Sequence, residues 1–590
     1  MNRKQILAAA AVLAAITVLV YVPAMRAGFI WDDGDMVTNN PLIKSAHGLH
    51  DIWLGKNLTD YHPLTYSVFW LEWRCWGMNP AGYHIVNILL HAAGVVLLWL
   101  VLRQLRVPGS WLAALLFGVH PVCVASVAWI AELKNTLSMV FYLAALWCWL
   151  RSEEGEKWNR RFYALALLFF LLALLAKVSV VVLPAVLLLL AWWQRGRISR
   201  RDWERAAPFF LLAVALGLFG MTFQNKYTAL NDPLPERLLG GGWAVWFYLW
   251  KIFWPVHLTI IYPRWNIQAA SPAAWIPGIC FAAMLFVFWR KRAGWGRPLL
   301  LATGYFLIAL APVLGPFRLV YLYFAQAADH LQYLAMPSIV ALAAAAGCQW
   351  FGLSRWTRRA RVAAVAAVLA VLTWQNQSRF ADMSSLWRDN LAKNPNSFQA
   401  LIFVGAEEER RGHYEQAGEL FQRALALRPQ SFEANLNLGI VFDDQGRTND
   451  AAAQAKTALQ IKPGDPDAQV LLARLLDKQG RVEEAAEHLH AAVRVAPDNV
   501  AARQNLGDLL VKQGRYDEAV QQFGAALKLK LDDPALFVAL GNAQGRRGDL
   551  AAALACFQKA LSLDPKSADA SNGVAAVRRL QGASNAPSSR

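Results

Sequence analysis

Two hydrophobic patterns share this chain. Up to about position 378, apolar runs of roughly 16 to 20 residues are separated by short basic loops, whereas from 380 to 590 apolar positions recur at helical spacing among charged ones. Runs of the first kind are long enough to cross hydrocarbon as helices, and they predict a polytopic membrane domain over residues 1–378. Candidate spans lie near 5–22, 83–102, 110–128, 136–150, 162–176, 177–194, 207–223, 273–289, 298–314, 331–349 and 360–377, about eleven in all. The stretch "GGWAVWFYLWKIFWPVHLTII" at 241–261 stands apart, because a crossing there would put the "RKRAGWGR" cluster on the opposite side from the other basic loops. It reads as interfacial or re-entrant, with Lys251 snorkelling and Trp243, Trp246, Trp250 and Trp254 as an aromatic belt.

The second pattern is periodic. Pro395, Pro429, Pro463, Pro497 and Pro565 stand on a ladder of 34 residues, with Leu531 at the missing rung and Pro534 beside it. Gly405, Gly439, Ala473, Gly507 and Gly541 take the eighth position of each unit, and Gly412, Gly446, Gly480, Gly514 and Gly548 the fifteenth. Ala417, Ala451, Ala485, Ala519 and Ala553 take the twentieth. Small residues at fixed intervals let paired helices approach, the glycine ends the first helix of a pair, and the proline stops the second. The spacing resembles the tetratricopeptide repeat, in five units over 398–567, whose concave groove takes an extended peptide or a partner helix; a spacer role is the plain alternative. Residues 379–397 are expected to form a linker helix, and 568–590 a capping helix and disordered tail. The predicted fold is all-α: a polytopic transmembrane domain of about 11 spans followed by a repeat α-solenoid.

Composition changes the picture mainly through where the charge sits. The net charge of +17 is not a patch on a soluble domain: Arg103 and Arg106, Arg151 with Arg160 and Arg161, Arg195 to Arg205, Arg290 to Arg297, and Arg355 to Arg361 all fall between apolar runs. That is the signature of cytoplasmic loops, and it argues against a nucleic-acid partner. With the basic N-terminus cytoplasmic and its apolar run read as an uncleaved anchor, an odd number of spans puts the repeats outside, in the periplasm of a bacterial inner membrane or in the lumen of the endoplasmic reticulum. The six cysteines are scattered singly, so neither a disulfide framework nor a zinc site is expected.

Several polar residues then fall at external span ends, where hydropathy alone has no use for them: Asp32, Asp33, His62, His84, His120, Glu132, Lys134, Lys177, Arg318, Asp329 and His330. Asp32 and Asp33 lie side by side next to Phe29, Ile30 and Trp31, a setting that raises the pKa of at least one carboxyl. Lys177 interrupts "LLALLAKVSVVVLP", where nothing structural requires a charge. A turn-forming cluster for the aspartates, snorkelling for the lysines and a satisfied core histidine for His120 are the plain alternatives.

The stretches "FIWDDGDMVTNNPLI", "YHPLTYSVFWLEWRCWGMNPAGYHIVNILLHA", "GVHPVCVASVAWIAELKN", "LLAKVSVVVLP", "FWPVHLTIIYP" and "AADHLQYLAMPS" follow one another in an order that resembles membrane glycosyltransferases of the C type. They are most similar to the transmembrane O-mannosyltransferases with tetratricopeptide repeats and their bacterial relatives. The resemblance implies transfer of a sugar, mannose or another hexose, from a polyprenyl-phosphate carrier to a Ser or Thr hydroxyl of a protein on the external side, with inversion. It implies Asp32 as the base, Asp33 holding the acceptor or a divalent cation (Mg or Mn), and Lys177, Lys134 and Arg318 facing the donor phosphate. His120, Glu132, Asp329, His330 and His62 are supporting external residues on the same reading. The family's E-R-K and D-R-Y motifs here read Glu132-Leu133-Lys134 and Asp329-His330-Leu331, which removes two arginines from the expected phosphate clamp. Two further readings stay open: an oligosaccharide transferase of the O-antigen ligase type, and a non-enzymatic membrane-anchored repeat scaffold for envelope proteins.

Overall fold

A computed structural model of the chain describes residues 2–56, 58, 60–154, 158–224, 233–315, 320–349 and 355–584. Helices account for every regular element among them, as the two apolar periodicities require. They divide into two compact units, Met1–Ser397 and Phe398–Arg590.

In the first unit, seven described helices are long and apolar enough to cross a membrane: Arg3–Val20, Pro80–Gln104, Ile130–Ser152, Val178–Arg195, Arg200–Phe223, Pro272–Arg290 and Gly296–Val313. An eighth is a bent pair, Ser110–Gly118 and Pro121–Val127, turned by 50°. The expectation of about eleven spans is thus too high by this measure, for identifiable reasons. Arg160–Ala176 has only 17 residues, or about 26 Å of helix. Met336–Gln349 has 14 residues, and Arg355–Asn376 opens on four arginines that cancel its apolar mean. The helix pair Leu133–Ser152 and Arg160–Ala176 fixes the polarity of the unit. Lys134 opens the first helix and Arg151 closes it, while Arg160 opens the second and Lys177 follows its end. The arginines therefore gather at one end of the pair and the two lysines at the other, about 30 Å apart. Glu153–Arg205 (3.3 Å) and Gln104–Glu154 (3.1 Å) contacts tie the arginine-bearing ends together.

The aromatic stretch forms the helix Leu234–Phe253 with Trp246, Trp250 and Trp254 exposed, as a belt requires. Lys251 does not snorkel. It is buried, its ammonium donating to the Val256 carbonyl at 2.8 Å and lying over the Tyr262 ring. Residues 379–397 are no free linker either: Met383–Lys393 is a helix capped by Asp382 and built into the first unit. Its Asn390 amide donates to Thr259 and to the Ile261 carbonyl, and Lys393 donates to the Leu258 carbonyl.

The second unit is the repeat array, ten helices in antiparallel pairs from Phe398–Arg410 to Leu550–Leu563, followed by the capping helix Ala568–Ser584. The fifteenth-position glycines carry φ of 75° to 95°, the left-handed turn that closes the first helix of each pair at small cost only for glycine. The eighth position packs on the twenty-fourth. A Cβ on Gly405, Gly507 or Gly541 would stand 2.7 to 2.8 Å from the ring of Phe421, Phe523 or Phe557, and where Ala473 is allowed the facing residue is Leu489.

Candidate active site

The first loop is held by a buried carboxylate. Asp33 is fully buried, its Oδ2 accepting the Ile30 N–H at 2.8 Å and its Oδ1 the Ala131 N–H at 2.7 Å. Both oxygens are thereby engaged with backbone amides. Asp33 clamps the loop to residue 131. Its neighbour differs. Asp32 is half-buried, and its carboxylate accepts no hydrogen bond among the described residues. Burial raises it from 3.8 to about 6, with Lys134 pulling the other way and Glu132, Asp35 and Asp60 adding to the rise. Burial raises Asp33 further, to about 8, so Asp32 is the member of the pair that is ionised near pH 7 and able to take a proton there.

Facing it is a chain of charges on the helix pair's lysine-bearing end. Glu132 is 2% exposed and sits 3.1 Å from the Lys134 ammonium and 3.7 Å from that of Lys177. Asn135 braces it: the amide donates to Glu132 Oε2 at 2.5 Å and accepts from Lys177 Nζ at 2.5 Å. The same amide nitrogen lies 3.1 Å from Ser126 Oγ and 3.2 Å from the His330 carbonyl, so the late loop is fastened here too. A short turn over Ile130–Glu132 delivers Glu132 to the start of the long helix, and the hairpin returns the chain at Lys177 beside it. Thr65 donates to the Ala176 carbonyl at 2.9 Å, bringing His62 to the same place. Burial lowers both His62 and His330 to about 4, so both rings are neutral near pH 7 and the positive charge here belongs to the lysines.

Lys134, Lys177, His62 and His330 therefore come together around Glu132, with Asp32 joining through Lys134 and Glu132, while two predicted residues do not join them. His120 is a satisfied structural histidine: Nδ1 accepts the Val122 N–H and Nε2 donates to the Ile252 carbonyl at 2.9 Å. Asp329 is spent on the Tyr262 hydroxyl, 2.8 Å, and on Arg379, 3.6 Å, in a separate buried pair. Arg318 lies outside the described residues. Asn135, Ser126 and Asp60 were missed by sequence reading. Asn135 carried one signal, standing three residues after Glu132 where a helix's first turn brings the two together. No cluster of three metal-type ligands lies among the described residues.

Comparison with known proteins agrees with both halves of this picture. The tetratricopeptide-repeat family profiles match residues 406–466, 470–534, 444–494 and 534–567. A protein O-mannosyl-transferase of Caenorhabditis elegans is 24% identical over 296 residues, 44% of this chain and 41% of that one. Those of Drosophila melanogaster and Mus musculus are 29% and 34% identical over 38% and 28% of this chain. These matches span 27% and 19% of the two relatives, so the chain covers well under two thirds of the length of each. A thermophilic repeat protein of Thermus thermophilus is 27% identical over 31% of this chain and 99% of its own, with a TM-score of 0.27. The chain carries tetratricopeptide repeats over residues 406–567 and is similar to the protein O-mannosyl-transferases.

Proposed function

We propose that the first unit transfers a sugar, mannose by the names of its relatives, from a polyprenyl-phosphate carrier to a Ser or Thr hydroxyl of a protein acceptor. The observation that carries the reading is Asp32, a carboxylate without a hydrogen bond among the described residues, raised toward neutrality near Lys134, which Glu132 joins to Lys177. In this mechanism the acceptor oxygen attacks the anomeric carbon as the bond from that carbon to the phosphate oxygen breaks. The acceptor proton passes to Asp32, and the electron pair leaves with the phosphate, whose growing charge Lys134 and Lys177 stabilise. Attack from the face opposite the leaving group inverts the anomeric centre. Glu132 holds both ammonium groups in place, and neutral His62 and His330 leave the charge to them. The separation of arginines and lysines to opposite ends of the hairpin supports a site on the non-cytoplasmic side, with the repeats presenting the acceptor or a partner protein.

The test is a reconstituted reaction in vesicles containing mannosyl-phosphoryl-polyprenol and a Ser/Thr-rich peptide. The parent transfers mannose and Asp32→Asn is slower by about 10²-fold or more, the usual contribution of a positioned base. Equal rates for parent and Asp32→Asn defeat the reading.

A further inference from the structure

The residue that aims Asp32 is in an unusual state. Trp31 has φ +40°, a left-handed conformation that a bulky side chain rarely adopts unless its surroundings impose it. Its ring is held on three sides: stacked on Trp129 (5.4 Å, 8°), and met edgewise by Phe324 (5.7 Å) and Trp387 (5.1 Å). The Trp31 backbone N–H donates to the Met383 sulfur at 2.9 Å. Met383 and Trp387 stand one turn apart on the helix Met383–Lys393, and Trp387 is 1% exposed.

The same segment grips the chain upstream of the site in register. Gln377 accepts the Ala24 N–H and donates to the Val20 carbonyl, and the Ala381 carbonyl accepts the Gly28 N–H at 2.8 Å. Residues 377–387 thus run along residues 20–31, contacting them at every third or fourth position up to the residue before Asp32. Arg379, from this segment, lies 3.6 Å from Asp329, which adjoins His330. Asn390 and Lys393 anchor the far end of the helix on the 258–261 carbonyls.

We infer that the segment 377–393 is a positioning element of the transfer site, in which Met383 and Trp387 hold Trp31 left-handed and so fix where the Asp32 carboxylate stands. Its contact nearest to Asp32 is the one with Trp31. The inference rests on the reading of Asp32 as the base.

Two measurements on the full chain test it. In the reconstituted transfer assay, Trp387→Ala lowers kcat at least tenfold with KM for the donor changed less than twofold, and the pH midpoint of kcat moves because the surroundings of Asp32 change. Trp387→Phe, which keeps an aromatic edge against Trp31, recovers kcat to within threefold. Separately, the rate of thiol labelling at position 32 in Asp32→Cys, read by peptide mass mapping, changes severalfold when Trp387→Ala is added. If Trp387→Ala keeps the parental kcat, pH midpoint and labelling rate, the inference is wrong even where Asp32→Asn is inactive. If Asp32→Asn is fully active but labelling still responds to Trp387→Ala, the segment positions the loop and the assignment of the base is what fails. A misfolded Trp387→Ala is recognised by lost monodispersity in detergent, and Met383→Leu, which removes only the sulfur acceptor, then carries the same readouts with a kcat decrease expected; unchanged values overturn the inference.

Discussion

Asp32→Asn should destroy transfer and yet make the protein more stable, and the size of the gain follows from the burial of Asp32. A carboxyl whose folded-state pKa lies at about 6 rather than 3.8 holds its proton more tightly folded than unfolded. The folded state therefore loses stability as pH rises through that interval and stays penalised above it. At 1.36 kcal/mol for each pKa unit, the penalty near pH 7 is about 3 kcal/mol, with the attraction of Lys134 already netted in. Asparagine carries no charge at any of these pH values and escapes the penalty. The gap between variant and parent should accordingly be near zero at pH 4 and open to its full size by pH 7. Apparent melting temperatures of the purified proteins in detergent, followed by tryptophan fluorescence at several pH values from 4 to 7.5, provide the comparison. Asp33→Asn is the contrast: burial raises Asp33 too, to about 8, so relief of that penalty opposes the loss of one of its two amide hydrogen bonds, and its gap to the parent should keep changing up to about pH 8. An Asp32→Asn protein that melts below the parent at pH 7.5, or a gap that does not grow with pH, refutes the argument that Asp32 is a buried, unsatisfied anion.

Three further outcomes are expected. The transfer rate should fall about tenfold for each pH unit below 6 as Asp32 takes up its proton, and level off above pH 7, measured as initial rates at saturating donor. Glu132→Gln should cost about 1–3 kcal/mol, because it removes the counter-charge that two part-buried ammonium groups share, whereas adding Lys177→Met to it should restore part of that loss in a double-mutant cycle on melting temperature. In the array, Gly507→Ala should cost about 1–3 kcal/mol because its Cβ meets the Phe523 ring, and Gly507→Ala with Phe523→Leu, the pairing of Ala473 with Leu489, should recover most of it, read from protease susceptibility of the array in the full chain.

What could be read from the sequence tracks how local the deciding interactions are. The repeats were legible in outline because each rule acts within one unit: a left-handed glycine ends a helix, and a small residue meets a ring some sixteen positions later. The number of membrane helices was less so, since an apolar run does not show whether a proline will bend it, as at Pro121, or whether a helix stops at 17 residues. The expected linker helix over 379–397 is a helix, but only the fold shows that Asn390 and Lys393 are fastened to backbone carbonyls of the first unit.

The sharpest case is the pair Asp32 and Asp33. Their position was visible as a breach of hydropathy beside Trp31, and so was the raised pKa that adjacent buried carboxyls imply. Their division of labour was not, because it turns on the amide of Ala131, 98 residues away, which reaches Asp33 and leaves Asp32 without an equivalent. Two identical side chains on consecutive residues outside regular helix leave the backbone in different directions, so a contact that satisfies one cannot satisfy the other. The left-handed Trp31 sets which of the two is presented to the lysines, and Trp31 is in turn held by Trp387, over 350 residues further on. Releasing Trp31 should therefore cost the site its base without touching Asp32 itself.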